Sequence, residues 1–204
     1  MMDAGFSQQN SGGDARTQDL IRTVADISSA LMNEVSKVII GKNENLRRVT
    51  VGILSNGNML LEDFPGLAKT LLANTFAQAL GCKFKRVQFT PDLLPADVTG
   101  TDIYRPQEGS FHFQSGPVFH NLVLADEINR APAKTQAALF ETMEERQATI
   151  DGTTYKLEAP FMVLATQNPI DQEGNYALPE AQLDRFIFNK EGDFVTLTGS
   201  LFGD

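Results

Sequence analysis

A lysine and a threonine, Lys69 and Thr70, stand where a short apolar strand pattern gives way to a helical one. Residues 59–61 are apolar, a Pro-Gly turn follows, and a helical run begins at Leu71. Strand, loop and helix in this order are typical of a phosphate-binding loop. Backbone N–H groups at a helix N-terminus attract anions, a lysine adds a point charge, and a threonine hydroxyl can reach Mg²⁺. The pattern predicts phosphate binding, with an ordinary strand–turn–helix as the alternative.

The loop departs from the consensus G-x-x-x-x-G-K-[ST], because Asp63 and Ala68 occupy its two glycine positions. Gly66 is the one glycine left inside the loop, and the Cβ of Ala68 narrows the space near a β-phosphate. The motif still supplies a lysine and a hydroxyl at the required place. The residues predicted to contact nucleotide in this segment are Asp63, Phe64, Pro65, Gly66, Leu67, Ala68, Lys69, Thr70 and Leu71.

Two adjacent carboxylates, Asp126 and Glu127, end a second apolar strand pattern. A carboxylate at the C-terminal end of a parallel strand points into the crevice where open α/β sheets bind ligands. Mg²⁺ prefers oxygen ligands, so Asp126 and Thr70 are the predicted metal-binding residues. Glu127 is predicted to orient and polarise the attacking water. The alternative is a strand end followed by acidic residues that cap a helix.

Two further polar residues follow a third apolar strand pattern. Asn168 comes directly after it and can hydrogen-bond a γ-phosphate and a water, although Asn before Pro also starts turns. Arg185 ends a short helical pattern and is either functional or a surface arginine paired with Asp184. With Glu127, they complete the predicted catalytic set.

Together these motifs resemble an AAA+ ATPase, and more narrowly the MoxR family, over residues 38–188. The resemblance rests on the stretches 88–100, 124–132, 165–169 and 178–186. It implies the following roles: Walker A for Lys69 and Thr70, Walker B for Asp126 and Glu127, sensor 1 for Asn168, arginine finger for Arg185, and adenine packing for Ile40 and Gly41.

The same resemblance implies an α/β fold of the P-loop NTPase (AAA+) type: a three-layer α/β/α parallel sheet with two β-hairpin inserts. It further implies ATP and Mg²⁺ as cofactors, ATP hydrolysis, and chaperone-like remodelling or maturation of client protein complexes. Arg185 would act on a neighbouring subunit in a homo-oligomer, expected to be a hexameric ring. A protein with a von Willebrand factor A domain is the expected partner.

Two alternative functions remain open on the sequence. One is a nucleotide-binding scaffold without appreciable hydrolysis, which the lost loop glycines and the expected absence of the family's helical lid with sensor 2 favour. The other is a nucleic-acid motor of the same hairpin-bearing clade. The formal net charge of −9 argues against sequence-independent binding to nucleic acid. The small basic cluster Lys83, Lys85 and Arg86 is interpreted as a solvated edge or a subunit contact.

The composition favours one domain with tails. The 204 residues are 42% hydrophobic, and the single cysteine, Cys82, excludes an internal disulfide framework. No apolar run of signal-peptide or membrane-span length occurs, so we expect a cytoplasmic protein. The predicted domains are a disordered tail (1–16), the nucleotide-binding core (17–190) and an irregular tail (191–204). That last tail stands in place of the helical lid that carries sensor 2 in the family.

The secondary-structure pattern places these motifs. Helices are predicted over about 17–37 and 43–54, and strands over 59–61, 84–89, the residues before Asp126 and those before Asn168, with a fifth starting at Phe186. Strands separated by helical patterns predict a parallel sheet flanked by helices. Hairpins are predicted over 101–113 and 147–157, the second because Asp151-Gly152 favours a tight primed turn.

Overall fold

A computed structural model describes residues 11–41, 43–62, 69–167, 176, 178–187 and 195–196. Strands are numbered in chain order, and five of them form the central sheet: β1 (Met59–Glu62), β2 (Phe84–Gln88), β5 (Leu122–Asp126), β8 (Met162–Gln167) and β9 (Val195–Thr196). Their order is β2-β5-β8-β1-β9, and every neighbouring pair is parallel. The parallel sheet predicted from the sequence is confirmed.

Helices cover both faces of this sheet. They are α1 (Ser11–Val35), α2 (Asn43–Leu54), α3 (Lys69–Ala79), α4 (Pro95–Thr99), α5 (Ala133–Glu145) and α6 (Glu180–Leu183). Within β5, Leu122 and Leu124 pack in the core that contains α1, α2 and α3, while Val123 and Ala125 pack in the core that contains α5. Alternate residues of a strand point to opposite faces, so the sheet lies between two helical layers. The three-layer α/β/α fold is confirmed.

Burial on both faces explains why the central strands are apolar without alternation. The first four residues of β5 and the first five of β8 are all buried. Only their last residues, Asp126 and Gln167, are partly exposed. The change from apolar to polar side chains therefore coincides with the edge of the sheet where a ligand can reach the chain.

Two antiparallel hairpins extend from this core, as predicted. One joins β3 (Gly100–Arg105) to β4 (Ser110–Ser115), and the other joins β6 (Gln147–Ile150) to β7 (Thr153–Lys156). In the second hairpin Asp151 and Gly152 have φ of 48° and 83°, as a primed turn requires. The ring of Phe113 on β4 stacks on the ring of Tyr155 on β7, with centroids 4.0 Å apart. This stack joins the two hairpins.

Three boundaries differ from the sequence-based expectation. Helix α1 begins at Ser11, so residues 11–16 of the predicted tail are helical. Phe186, predicted to begin a fifth strand, forms an isolated parallel bridge with Asn58, and the strand beside β1 is instead β9. The helix expected to end at Arg185 ends at Leu183. None of the helices within the described ranges is long and apolar enough to cross a membrane.

Candidate nucleotide site

The C-terminal ends of three neighbouring strands carry the predicted site. In the register, Glu62 of β1 lies opposite Gln167 of β8, and Ala125 of β5 lies opposite Ala165 of β8. Strand β8 therefore separates the strand that precedes Lys69 from the strand that ends in Asp126. Because the carboxyl ends of parallel strands meet at one edge, segments distant in sequence are brought to one place.

The carboxylate of Asp126 is held on both oxygens. The Thr166 hydroxyl donates to its Oδ1 at 2.6 Å. Arg86, on the adjacent strand β2, donates from Nη2 at 2.6 Å and from Nε at 3.1 Å to Oδ2. The Asp126 side chain is 16% exposed, against 44% for Arg86. Charge-assisted hydrogen bonds of this kind are stronger than neutral ones, so the Asp126 carboxylate has a defined orientation.

Glu127 adopts the left-handed conformation, with φ 55° and ψ 49°. A non-glycine residue there is uncommon, and such residues cluster at functional sites. Its backbone N–H donates to the Thr166 hydroxyl at 2.8 Å, and its carboxylate accepts from Arg130 Nη1 at 2.9 Å. The left-handed backbone turns the chain sharply after β5, and it leaves the Glu127 side chain 22% exposed at the sheet edge.

The helix α3 begins at Lys69, two residues before Leu71, where the sequence pattern placed its start. Buried Leu72 and Phe76 anchor α3 against the sheet, while Lys69 is half-buried and Thr70 is exposed. Leu71, also predicted to contact nucleotide, is partly exposed. The other predicted loop residues, Asp63, Phe64, Pro65, Gly66, Leu67 and Ala68, lie outside the described residues, as does Asn168.

The segment predicted to pack on adenine lies between α1 and α2. The Ile40 side chain is 80% exposed, which leaves an apolar group available for contact. Gly41 has φ 80°, a left-handed conformation that suits glycine. The adenine contact itself stays a prediction.

Arg185 lies against α5 of its own chain. Its Nη1 donates to the Phe140 carbonyl oxygen at 2.9 Å and lies 2.6 Å from Glu144 Oε2. The ion-pair partner is therefore Glu144, not the neighbouring Asp184 that the sequence alternative named. The Arg185 side chain remains 33% exposed. Its predicted role as an arginine finger stays a prediction.

Two residues at the site were missed by sequence reasoning. Arg86 was interpreted, with Lys83 and Lys85, as a solvated edge or a subunit contact. All three side chains are exposed, on or next to the edge strand β2, but the ion pair between Arg86 and Asp126 was not foreseen. Thr166 is fully buried and joins Asp126 to the Glu127 backbone. The available signal for Thr166 was a hydroxyl at the end of an otherwise apolar strand. Arg86 gave a weaker signal, a basic residue two positions before the end of β2.

Two ionisable groups away from this edge have shifted pKa values. The pKa of Asp92 lies below its ordinary value because the Thr90 side chain and its own backbone hydrogen-bond the carboxylate. Burial lowers the pKa of the Arg146 guanidinium. That guanidinium donates to the carbonyl oxygens of Phe161 and Asn56 and lies over the Phe161 ring, so its role is structural.

Comparison with known proteins decides the family. Residues 58–188 match the model of the ATPase family associated with various cellular activities (AAA). Over 155 residues the chain is 55% identical to the "Chaperone MoxR1" of Mycobacterium tuberculosis, covering 76% of this chain and 41% of that protein. The chain belongs to the MoxR-type AAA+ ATPases.

Two further relatives match most of the chain. The chain is 50% identical over 157 residues to "Uncharacterized protein YeaC" of Bacillus subtilis, covering 77% of this chain and 49% of that one. The crystal structure of a candidate ATPase from Cytophaga hutchinsonii superimposes with a TM-score of 0.74 at 49% identity, covering 85% of this chain and 53% of that one. The chain thus spans about half the length of the proteins it matches.

The residues of this MoxR-type core fit a nucleotide with a divalent cation. Asp126 and Thr70 offer the oxygen ligands that Mg²⁺ prefers, and Lys69 offers a charge for phosphate. At the end of β8, Gln167 Oε1 is buried and has no hydrogen-bond partner among the described residues. A buried acceptor without a donor is costly, so a ligand that donates a hydrogen bond there, such as a metal-bound water, would satisfy it.

Proposed function

We propose that this chain binds ATP and hydrolyses it to ADP and phosphate in a Mg²⁺-dependent reaction. The observation that carries the proposal is the placement of Asp126 and Glu127 at the end of β5, one strand away from the strand that leads to Lys69. In this proposal the groups that bind the metal, orient the water and bind the phosphates lie at one edge of the sheet. Membership in the AAA ATPase family supports the same reaction.

Each residue has a distinct task in the proposed reaction. Lys69 and the backbone amides of residues 63–68 hold the phosphates, while Thr70 and Asp126 hold the cation. Bound Mg²⁺ supplies positive charge that offsets the charge of the β- and γ-phosphates. Glu127 orients the attacking water, and Asn168 hydrogen-bonds the γ-phosphate.

The fixed backbone around Glu127 supports its assignment. The Glu127 N–H is bound to Thr166, and Thr166 is bound to Asp126, so the two carboxylates are held relative to each other through one hydroxyl. Preorganised polar groups cost little reorganisation at the moment of reaction. Arg130 holds the Glu127 carboxylate before substrate arrives.

We also propose that the chain works in a homohexameric ring in which Arg185 serves the nucleotide of the neighbouring subunit. A heterologous interface that closes gives a cyclic assembly. Both described polar contacts of Arg185 are made by Nη1, and a guanidinium carries five N–H donors. In this proposal the ring acts in the cytoplasm, with a von Willebrand factor A domain protein, to remodel client protein complexes. The relative named "Chaperone MoxR1" supports the chaperone-like role.

A nucleotide-binding scaffold is the second candidate. It is favoured by the engagement of both Asp126 oxygens by Arg86 and Thr166, which leaves the carboxylate occupied by protein groups. A scaffold would bind ATP and ADP without turnover.

Steady-state ATPase rates with and without Mg²⁺, across protein concentration, separate the two candidates. We expect Glu127→Gln to keep ATP binding and lose most turnover, because the amide cannot accept a proton from water. Lys69→Ala should lose binding itself. A parent chain that binds nucleotide but shows no Mg²⁺-dependent turnover would reject the enzyme in favour of the scaffold. A Glu127→Gln rate equal to that of an active parent would reject the role of Glu127, and a parent that binds no nucleotide would reject both candidates.

A further inference from the structure

The Arg86 guanidinium occupies the oxygen of Asp126 that faces away from Thr166. Its two hydrogen bonds to Asp126, from Nη2 at 2.6 Å and from Nε at 3.1 Å, both go to Oδ2. Oδ1 accepts from the Thr166 hydroxyl at 2.6 Å. The positively charged Arg86 guanidinium is therefore bound to the carboxylate that the proposed reaction assigns to Mg²⁺.

The two partners of Asp126 differ in how easily they can leave. Thr166 is fully buried, and its hydroxyl also accepts from the Glu127 backbone N–H, so it is fixed by the sheet. Arg86 is a long side chain, 44% exposed. Its Nη2 also donates to Gln88 Oε1 at 2.6 Å, so a second partner on the same strand is within reach. Arg86 is the partner that can release the carboxylate.

We infer that Arg86 is a positioning residue that competes with Mg²⁺ for Asp126. It holds Oδ2 while the site is empty and would leave Oδ2 when the metal and nucleotide bind, while Thr166 keeps its bond to Oδ1. The inference rests on the proposed function, because it assigns Asp126 to the metal. Like charges at one carboxylate oxygen repel each other, so removing the guanidinium charge should favour the metal.

The test is the Mg²⁺ concentration that half-saturates the binding of a fluorescent ADP analogue. In the Arg86→Gln variant this concentration should fall about fivefold, or about 1 kcal/mol at 1.4 kcal/mol per tenfold change, which is the scale of a half-exposed ion pair. Arg86→Lys keeps the charge but loses the two-nitrogen contact, so it should fall between Arg86→Gln and the parent.

Lys85→Ala is the matched control. Lys85 is exposed on the same strand, so the variant removes one positive charge near the site without removing a partner of Asp126. Its Mg²⁺ requirement should equal that of the parent. If Arg86→Gln fails a thermal-unfolding check, Arg86→Met supplies a neutral variant that keeps the aliphatic stem.

The outcomes separate the inference from the proposed function. A parent chain that binds the analogue with Mg²⁺ dependence, together with an unchanged or raised Mg²⁺ requirement in Arg86→Gln, would overturn the inference alone. A merely structural tie between β2 and β5 would give that result, with a lower unfolding temperature. A parent chain that binds no analogue at any Mg²⁺ concentration would overturn both.

Discussion

At the scale of single residues, one buried hydroxyl organises the site. Thr166 donates to Asp126 and accepts from the Glu127 N–H, so it connects the two residues proposed to bind the metal and to orient water through two hydrogen bonds. The left-handed backbone of Glu127 places its N–H in reach of that hydroxyl. Removing the hydroxyl would leave a partly buried N–H without its acceptor, which is more costly than losing a hydrogen bond as such.

We expect Thr166→Val to lower the free energy of unfolding by about 2 kcal/mol, because it leaves the Glu127 N–H unsatisfied. The control is Thr142→Val, at an equally buried threonine whose hydroxyl donates to the Ala138 carbonyl within α5. In that variant the free energy of unfolding should fall by only about 1 kcal/mol, since the Ala138 carbonyl still accepts its helical backbone N–H. Urea denaturation of both variants measures the difference. Equal losses would show that the Thr166 hydroxyl contributes no more than an intrahelical one.

At the scale of elements, the two hairpins are joined by an aromatic cluster. Phe113 of β4 and Tyr155 of β7 stack with an interplanar angle of 17°, and Phe119 packs edge-on against both rings. The hairpins belong to separate two-stranded sheets, so these side chains tie together strands that share no backbone ladder. The β6–β7 hairpin precedes β8, the strand that carries Thr166, so the cluster connects both inserts to the sheet that forms the site.

Tyr155→Ala should loosen both hairpins, because an aromatic pair contributes about 1 kcal/mol beyond its buried area. Amide hydrogen exchange should rise about fivefold in β3–β4 as well as in β6–β7. Tyr104→Ala is the control, since Tyr104 packs on Phe111 within the first hairpin, outside the stack. It should leave exchange in β6–β7 unchanged. A change confined to β6–β7 in the Tyr155→Ala protein would show that the hairpins move independently.

At the scale of the whole molecule, the proposed ring depends on where Arg185 acts. Its guanidinium is oriented by α5 of its own chain, through the Phe140 carbonyl and Glu144. Loss of Arg185 therefore removes a contact within the chain as well as any contact between chains. A test of the ring must separate these two effects.

Mixing two variants that are each expected to be inactive, Glu127→Gln and Arg185→Ala, separates the intrachain effect from the intersubunit effect. The Glu127→Gln chain keeps Arg185, and the Arg185→Ala chain keeps its own water-orienting carboxylate. In a randomly mixed ring about half of the sites are intact and about half of those have an intact neighbour, so about a quarter of the parent rate should return. Glu144→Ala, which removes the intrachain ion pair and keeps the guanidinium, should remain active. If the mixture hydrolyses ATP no faster than its two components do separately, Arg185 does not act on the nucleotide site of a neighbouring subunit.

The sequence by itself determined four strands of the central sheet and both hairpins, whereas the start of α1, the end of α6 and the strand β9 differed from the prediction. Long apolar runs predicted the buried strands, and the polar residues that follow them, such as Asp126, marked the ligand edge. Asp151-Gly152 predicted the tight turn of the second hairpin. These are local patterns, because apolar runs, turn conformation and helix period are properties of residues near one another in the chain.

Only the tertiary structure decided which side chains meet. Arg86 and Asp126 lie 40 positions apart, and they touch because β2 pairs with β5 in a register that sets Gln88 opposite Asp126. The contact between Arg185 and Phe140 spans 45 positions and depends on how the chain after α6 packs on α5. Contacts at such separations follow from strand order and helix packing, which pair side chains without leaving a local trace in the sequence.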